Sequence, residues 1–207
     1  NSELLVVILT DNFRLYRVLS ALMRDITCLQ LCFNHCSLPD SIKGADRILV
    51  IIDSHIIFRG DWSALNEIRT ERSDATLIWL TGKVTGRVFP KGIQGVELFD
   101  KTDISLASCE LNQILQCPES QGERAEGIYL THTESRVLPY FVSDLHINEI
   151  ALLIEIPVKT LYAHRQNILN KTGLRQPSFL RFVYERNKGL PGIQEGFMSN
   201  GISEAVS

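Results

Sequence analysis

Residues 148–168, Asn148-Glu149-Ile150-Ala151-Leu152-Leu153-Ile154-Glu155-Ile156-Pro157-Val158-Lys159-Thr160-Leu161-Tyr162-Ala163-His164-Arg165-Gln166-Asn167-Ile168, read as two short helices on either side of a tight turn. On the first, Ile150, Ala151, Leu153 and Ile154 fall close to an i, i+3, i+4 rhythm. On the second, Leu161, His164, Ile168 and Thr172 repeat it. Pro157 suits the first turn of that helix, where a missing N–H costs nothing. Gly173 stands where a left-handed closing residue belongs. Lys159, Ala163, Gln166 and Asn170 fall on the wheel opposite Leu161 and Ile168, with Tyr162 flanking them.

An outward face of amide and phenol groups has the form of a helix that enters a DNA groove. Gln pairs in bidentate fashion with adenine, and Ala meets a thymine methyl. Lys159, Arg165 and Lys171 are placed to meet phosphates, which position a protein without reading sequence. The same spacing also suits an ordinary amphipathic helix pair in an all-helical domain.

The run Leu130-Thr131-x-Thr133-Glu134-x-x-Val137-Leu138, then Asn148-x-Ile150-Ala151, then Lys159-Thr160-Leu161-x-x-His164-Arg165-x-Asn167-Ile168-x-x-Lys171-x-Gly173-Leu174 resembles the DNA-binding domain of the LuxR/FixJ/NarL regulators. The match extends from Leu130 to Asn187 in one order. The resemblance implies four helices, near 131–143, 147–154, 158–172 and 176–187. The third would be the recognition helix, and the fourth usually serves dimer contacts. By position, Tyr162, Ala163 and Gln166 take the base-reading places, and Lys159, Thr160, Arg165 and Lys171 take the backbone-contacting places. Thr133, Asp144, Pro157 and Tyr162 depart from the family pattern, which suggests an unusual operator or weaker intrinsic binding.

Upstream, short apolar runs alternate with helical periodicity. Leu4–Thr10, Thr27–Phe33, Arg47–Asp53, Ala75–Thr81 and Gly95–Phe99 read as strands. Phe13–Met23 and stretches near 61–72 and 104–115 read as helices. Nearly wholly apolar strands alternating with helices predict an α/β doubly wound parallel five-stranded sheet covered on both faces. In such sheets, sites form at the carboxyl ends of the strands.

Those ends carry Asp11-Asn12, Asp53 and Thr81, and the arrangement resembles the receiver domain of response regulators. In a working receiver, two acids on the first strand and an acceptor aspartate on the third hold Mg²⁺ through oxygens. A hydroxyl on the fourth strand and a lysine on the fifth contact the phosphoryl group. Here Asp53 takes the acceptor place and Thr81 the hydroxyl place, with Asp11 the one acid kept from the pair. Asn12 leaves that pair one charge short, and Phe99 holds the lysine place, with Lys101 two residues on. The resemblance is therefore to a degenerate, atypical receiver, in which Mg²⁺ is a cofactor only if the pocket functions. Some such receivers bind a cyclic dinucleotide, but the run Trp79-Leu80-Thr81-Gly82 ends in Gly where that motif needs Arg.

The chain has 207 residues, 44% hydrophobic and 22% charged, which suits one or two globular domains. Its net charge of -3 hides an asymmetry: residues 130–187 hold seven basic and five acidic side chains, a net +2. That predicts a modest phosphate footprint per subunit, so that useful affinity needs a dimer. No run of eighteen apolar residues is present and the start lacks signal-peptide features, which predicts a cytoplasmic protein with no membrane span. Cys28, Cys32, Cys36, Cys109 and Cys117 are an odd number, which argues for free thiols. The C-x3-C-x3-C spacing beside His35 is not the paired form of zinc sites, and buried small residues are the favoured reading, with no metal.

Gln116 to Gly127 (QCPESQGERAEG) has boundary composition. The division expected is a receiver-like domain at 1–116, a linker at 117–127, a helix-turn-helix domain at 128–188 and a flexible tail at 189–207. No spacing of the five histidines singles out a catalyst, so no enzyme is expected. The expected function is sequence-specific transcriptional regulation on double-stranded DNA, as a homodimer and independent of phosphorylation. The alternatives are a two-component regulator switched at Asp53, and an auxiliary regulator that works as a heterodimer.

Overall fold

The computed structural model describes residues 3–90, 93–97, 109, 113 and 128–194. The chain forms two compact units, one of residues 1–85 and 92–126, the other of 86–91 and 127–207.

The first unit is an α/β sheet. Strands β1 (Leu4–Leu9), β2 (Thr27–Leu31), β3 (Arg47–Asp53), β4 (Thr76–Thr81) and β5 (Gln94–Glu97) lie in the order β2-β1-β3-β4-β5, all parallel. Helices α1 (Phe13–Leu22), α2 (Asp40–Lys43), α3 (Ile56–Arg59) and α4 (Ser63–Glu71) lie between them. The central strands are buried on both faces, as their unbroken Leu, Val and Ile runs require. Val6, Ile8, Leu49, Ile51, Ile78 and Leu80 form one face and pack with Leu19 and Met23. Val7, Leu9, Val50, Ile52 and Trp79 alternate to the other face. There Trp79 stacks on Trp62, which precedes α4, with ring centroids 6.2 Å apart. Burying apolar area stabilises by ~25 cal/mol per Å², and both faces of the sheet contribute through it.

The register carries Leu9, Asp53 and Thr81 to the same edge, since Leu9 pairs with Ile52 and Asp53 with Leu80. The helix expected near 104–115, the place of Phe99, and Lys101 lie outside the described residues. Cys32 and Cys36 are exposed and Cys28 is half-buried. This corrects the expectation of buried thiols: the strand ends at Leu31, so the two later cysteines fall in the loop beyond it. Burial pushes the Cys28 thiol pKa up. Among the described residues no three His, Cys, Asp or Glu side chains are grouped as metal ligands.

The second unit is helical: α5 (His132–Phe141), α6 (Ile147–Ile154), α7 (Val158–Thr172) and α8 (Pro177–Asn187). Their apolar stripes (Val137, Leu138, Ile147, Ile150, Leu161, Ile168, Leu180 and Val183) are buried. The first helix begins one residue later than expected because Thr131 is its cap. Its hydroxyl accepts the Glu134 amide at 3.2 Å, and the Glu134 carboxylate accepts the Thr131 amide at 2.9 Å. At the start of α6 the Glu149 carboxylate accepts the His146 amide at 2.7 Å, and His146 Nδ1 accepts the Asn148 amide at 3.3 Å.

Part of the segment expected as a tail carries a strand. Ile128–Tyr129 (β6) pairs in parallel with Ile193–Gln194 (β7), and Leu190 is buried. Residues 189–194 are therefore part of the unit, and 195–207 lie outside the described residues. No described helix is long and apolar enough to cross a membrane.

Candidate functional sites: a helix face and an altered acid pocket

The turn between α6 and α7 has three residues. Glu155 adopts the left-handed conformation, with φ 57° and ψ 39°, and closes α6. Pro157 is the N-cap of α7 rather than its first-turn residue, and no side chain caps that end. A Ser/Thr/Asp/Asn cap would add about 1 kcal/mol, so α7 depends on its packing. Leu161, Ile168, Leu169 and Thr172 anchor it, and Gly173 ends it with φ 69°.

That anchoring turns the opposite face to solvent. Lys159, Thr160, Tyr162, Ala163, Gln166, Asn167 and Asn170 are exposed, and Arg165 is half-buried. Tyr162 is 47% exposed, and the Arg165 guanidinium carbon lies 4.9 Å from its ring centroid. Gln166 donates to Asn170 at 3.0 Å. Of the seven expected contact residues, five are exposed and Arg165 is half-buried.

Lys171 is the seventh, and it is engaged elsewhere. Its ammonium donates to Glu134 Oε2 at 2.6 Å. Glu134 is nearly fully buried. Burial alone would raise the Glu134 pKa, but the Lys171 hydrogen bond and the Thr131 amide outweigh it and hold the carboxyl below its usual range. Glu134 was not expected as part of any site.

The acid pocket of the first unit is self-satisfied. Asp53 is 4% exposed. Its Oδ2 accepts the Thr10 hydroxyl at 2.6 Å. Its Oδ1 accepts the His55 amide at 3.0 Å and lies 2.9 Å from His55 Nδ1. Burial pushes the carboxyl up, yet the hydrogen bonds from His55 and Thr10 bring it below its ordinary value. The hydrogen bond to Asp53 raises His55 in turn, against a smaller opposing effect of burial.

The neighbouring places are also taken. Asp11 accepts the Phe33 amide at 3.0 Å and pairs with Arg59 at 3.3 Å. Asn12 caps α1, its Oδ1 accepting from the Arg14 and Leu15 amides. Thr81 is half-buried at the end of β4. Beyond it, the buried Thr85 hydroxyl donates to Ser54 Oγ at 2.7 Å. Mg²⁺ is usually held by one or two carboxylates and keeps several waters. Here Asp53 already accepts from Thr10 and His55, Asp11 faces the Arg59 guanidinium, and Asn12 is turned to its own helix.

Sequence reading named Asp11, Asp53 and Thr81, but missed Thr10, His55 and Arg59. His55 stands two residues after Asp53, a spacing at which a carboxylate folds back on the following backbone. That signal was available. Arg59 had none, because α3 must first place it beside Asp11.

No protein-family model and no curated protein sequence matches this chain. Solved structures do. The response regulator RcsB in a complex with DNA is similar with 15% identity and a TM-score of 0.60, covering 89% of this chain and 98% of that one. Two RcsB dimers bound to two parallel DNAs give 17% identity and 0.58, covering 89% and 98%. RcsB from Salmonella enterica serovar Typhimurium, bound to promoter rprA with the phosphomimetic BeF3-, gives 18% and 0.50, covering 86% and 97%. At these identities the likeness is one of fold: an α/β receiver-like sheet with helices, arranged as in response regulators.

Proposed function

We propose that this protein is a sequence-specific DNA-binding transcriptional regulator, of the LuxR/FixJ/NarL kind, and not an enzyme. The observation that carries this reading is the solvent-facing side of α7, with Tyr162, Ala163 and Gln166 at its centre and Lys159, Thr160 and Arg165 around them. The firm anchoring of the opposite face leaves this helix able to enter a major groove. The similar RcsB structures hold DNA, which supports the reading. Lys171 is assigned to holding α7 on α5 rather than to a phosphate.

The protein acts as a homodimer. A net charge of +2 over residues 130–187 gives each copy a small phosphate footprint, and two linked copies multiply it. Phe179 and Phe182 stand exposed on α8, at the place the family uses for dimer contacts. Its action is independent of phosphorylation, which the closed Asp53 pocket supports. Partners are double-stranded DNA and a second copy, and the expected location is the cytoplasm.

The test is selection of duplexes from random DNA by the purified protein, followed by titration at several salt concentrations. Gln166→Ala should lower sequence preference with little change on random DNA. Lys159→Ala should weaken binding to all sequences and shallow the salt slope by about one. Absence of any enriched sequence from protein alone, with enrichment once a second regulator is added, would favour the heterodimeric auxiliary instead.

A further inference from the structure

Gln166 and Asn170 stand one turn apart on the exposed side of α7, and Gln166 Nε2 donates to Asn170 Oδ1 at 3.0 Å. Such a pair contributes only about 0.2–0.5 kcal/mol to a helix, too little to account for its placement on this face. Its effect on geometry is larger. A free terminal amide rotates through a broad, roughly two-fold well. With one Nε2 hydrogen held by Asn170, the Gln166 amide has one orientation. The second N–H and the Oε1 lone pairs stay available as an adjacent donor and acceptor on an exposed side chain. Adenine offers N7 as acceptor and N6–H as donor on its major-groove edge, the complement of that pair. Guanine offers two acceptors there and does not match.

We propose that Asn170 is a positioning residue for sequence recognition: its side-chain carbonyl locks the Gln166 amide in the orientation that reads adenine. This rests on the reading of α7 as the DNA-contacting helix. Because both side chains are exposed, substitutions at Asn170 leave the fold intact.

The experiment is selection from random duplex DNA with the full chain at fixed salt, for the wild type, Asn170→Ala and Asn170→Asp. The wild type should enrich adenine at one position per half-site. Asn170→Ala should lower that preference by roughly two- to tenfold, the cost of ordering a side chain no longer held in place, and leave binding to random DNA unchanged. Asn170→Asp keeps an acceptor for Nε2, so it should retain the adenine preference while its charge weakens binding to every sequence. A purely structural role for the pair would shift thermal stability and leave base preference alone. Wild-type preference in Asn170→Ala, or its equal loss in Asn170→Asp, overturns the proposal. An enriched motif without adenine overturns it and leaves the DNA-binding reading standing. Enrichment of no motif at all overturns both.

Discussion

Lys171 reaches from the last turn of α7 to the buried Glu134 on α5, with Nζ 2.6 Å from Oε2. The same carboxylate closes the Thr131 capping box at 2.9 Å. One buried acid therefore sets both the start of α5 and the seating of α7.

Removing the lysine leaves that acid short of a partner. Lys171→Ala should lower the stability of the second unit by about 1–2 kcal/mol, measured by chemical denaturation. The Glu134 pKa is depressed on folding, so its contribution is present above the unfolded carboxyl value and fades as pH falls through the lower folded one. The deficit in Lys171→Ala should shrink accordingly in acid. A salt slope for DNA binding equal to that of the wild type would agree with the structural role, and a shallower slope would assign Lys171 to a phosphate after all.

Asp53 should be inert to phosphodonors. Incubation with acetyl phosphate and Mg²⁺ should add no phosphoryl mass, and beryllofluoride should leave DNA affinity unchanged. Asp53→Ala should act as a stability variant, costing about 1–3 kcal/mol because the buried Thr10 hydroxyl and the His55 amide lose their acceptor. A phosphorylated Asp53 in the mass spectrum would restore the switched-regulator reading.

His55 should titrate above the ordinary histidine value of about 6.5, seen as movement of its ring carbon protons by NMR. Its folded pKa is raised, so the stabilisation is complete below the unfolded value and is lost as pH rises through the folded one. In Asp53→Asn the titration should fall back toward the ordinary value. An unchanged midpoint would mean that the 2.9 Å contact does not persist in solution.

Glu155→Gly should raise stability. A side chain at φ 57° carries a left-handed penalty that glycine does not, and glycine's extra unfolded entropy offsets part of the gain. The net effect expected is about 0.5–1 kcal/mol, visible as a higher melting temperature. A lower one would mean that the carboxylate itself holds the turn.

The helices of the second unit were legible because their signals are local. The rhythm of Leu161 and Ile168 and the Gly173 stop mark α7, and its bounds, 158–172, are those the resemblance implied. The central strands β1 and β3 were legible for the same reason, as nearly unbroken apolar runs. Side-chain commitments across long separations were not. Lys171 and Glu134 are 37 residues apart, and Thr10 and Asp53 are 43 apart, and nothing near either member announces the other. Asn12 is the instructive case. Its place in a family pattern suggested a missing acid, whereas its side chain serves as the N-cap of α1, a role that could have been read from its position alone.

The parallel pairing of Ile128 with Ile193 fastens the entry of the helical unit to its exit. A fragment cut after Asn187, where the last helix ends, would strip a partner from β6 and uncover the seat of Leu190. Anyone excising this unit to study it alone should carry the polypeptide through Gln194, or expect a frayed amino terminus at Ile128 and Tyr129.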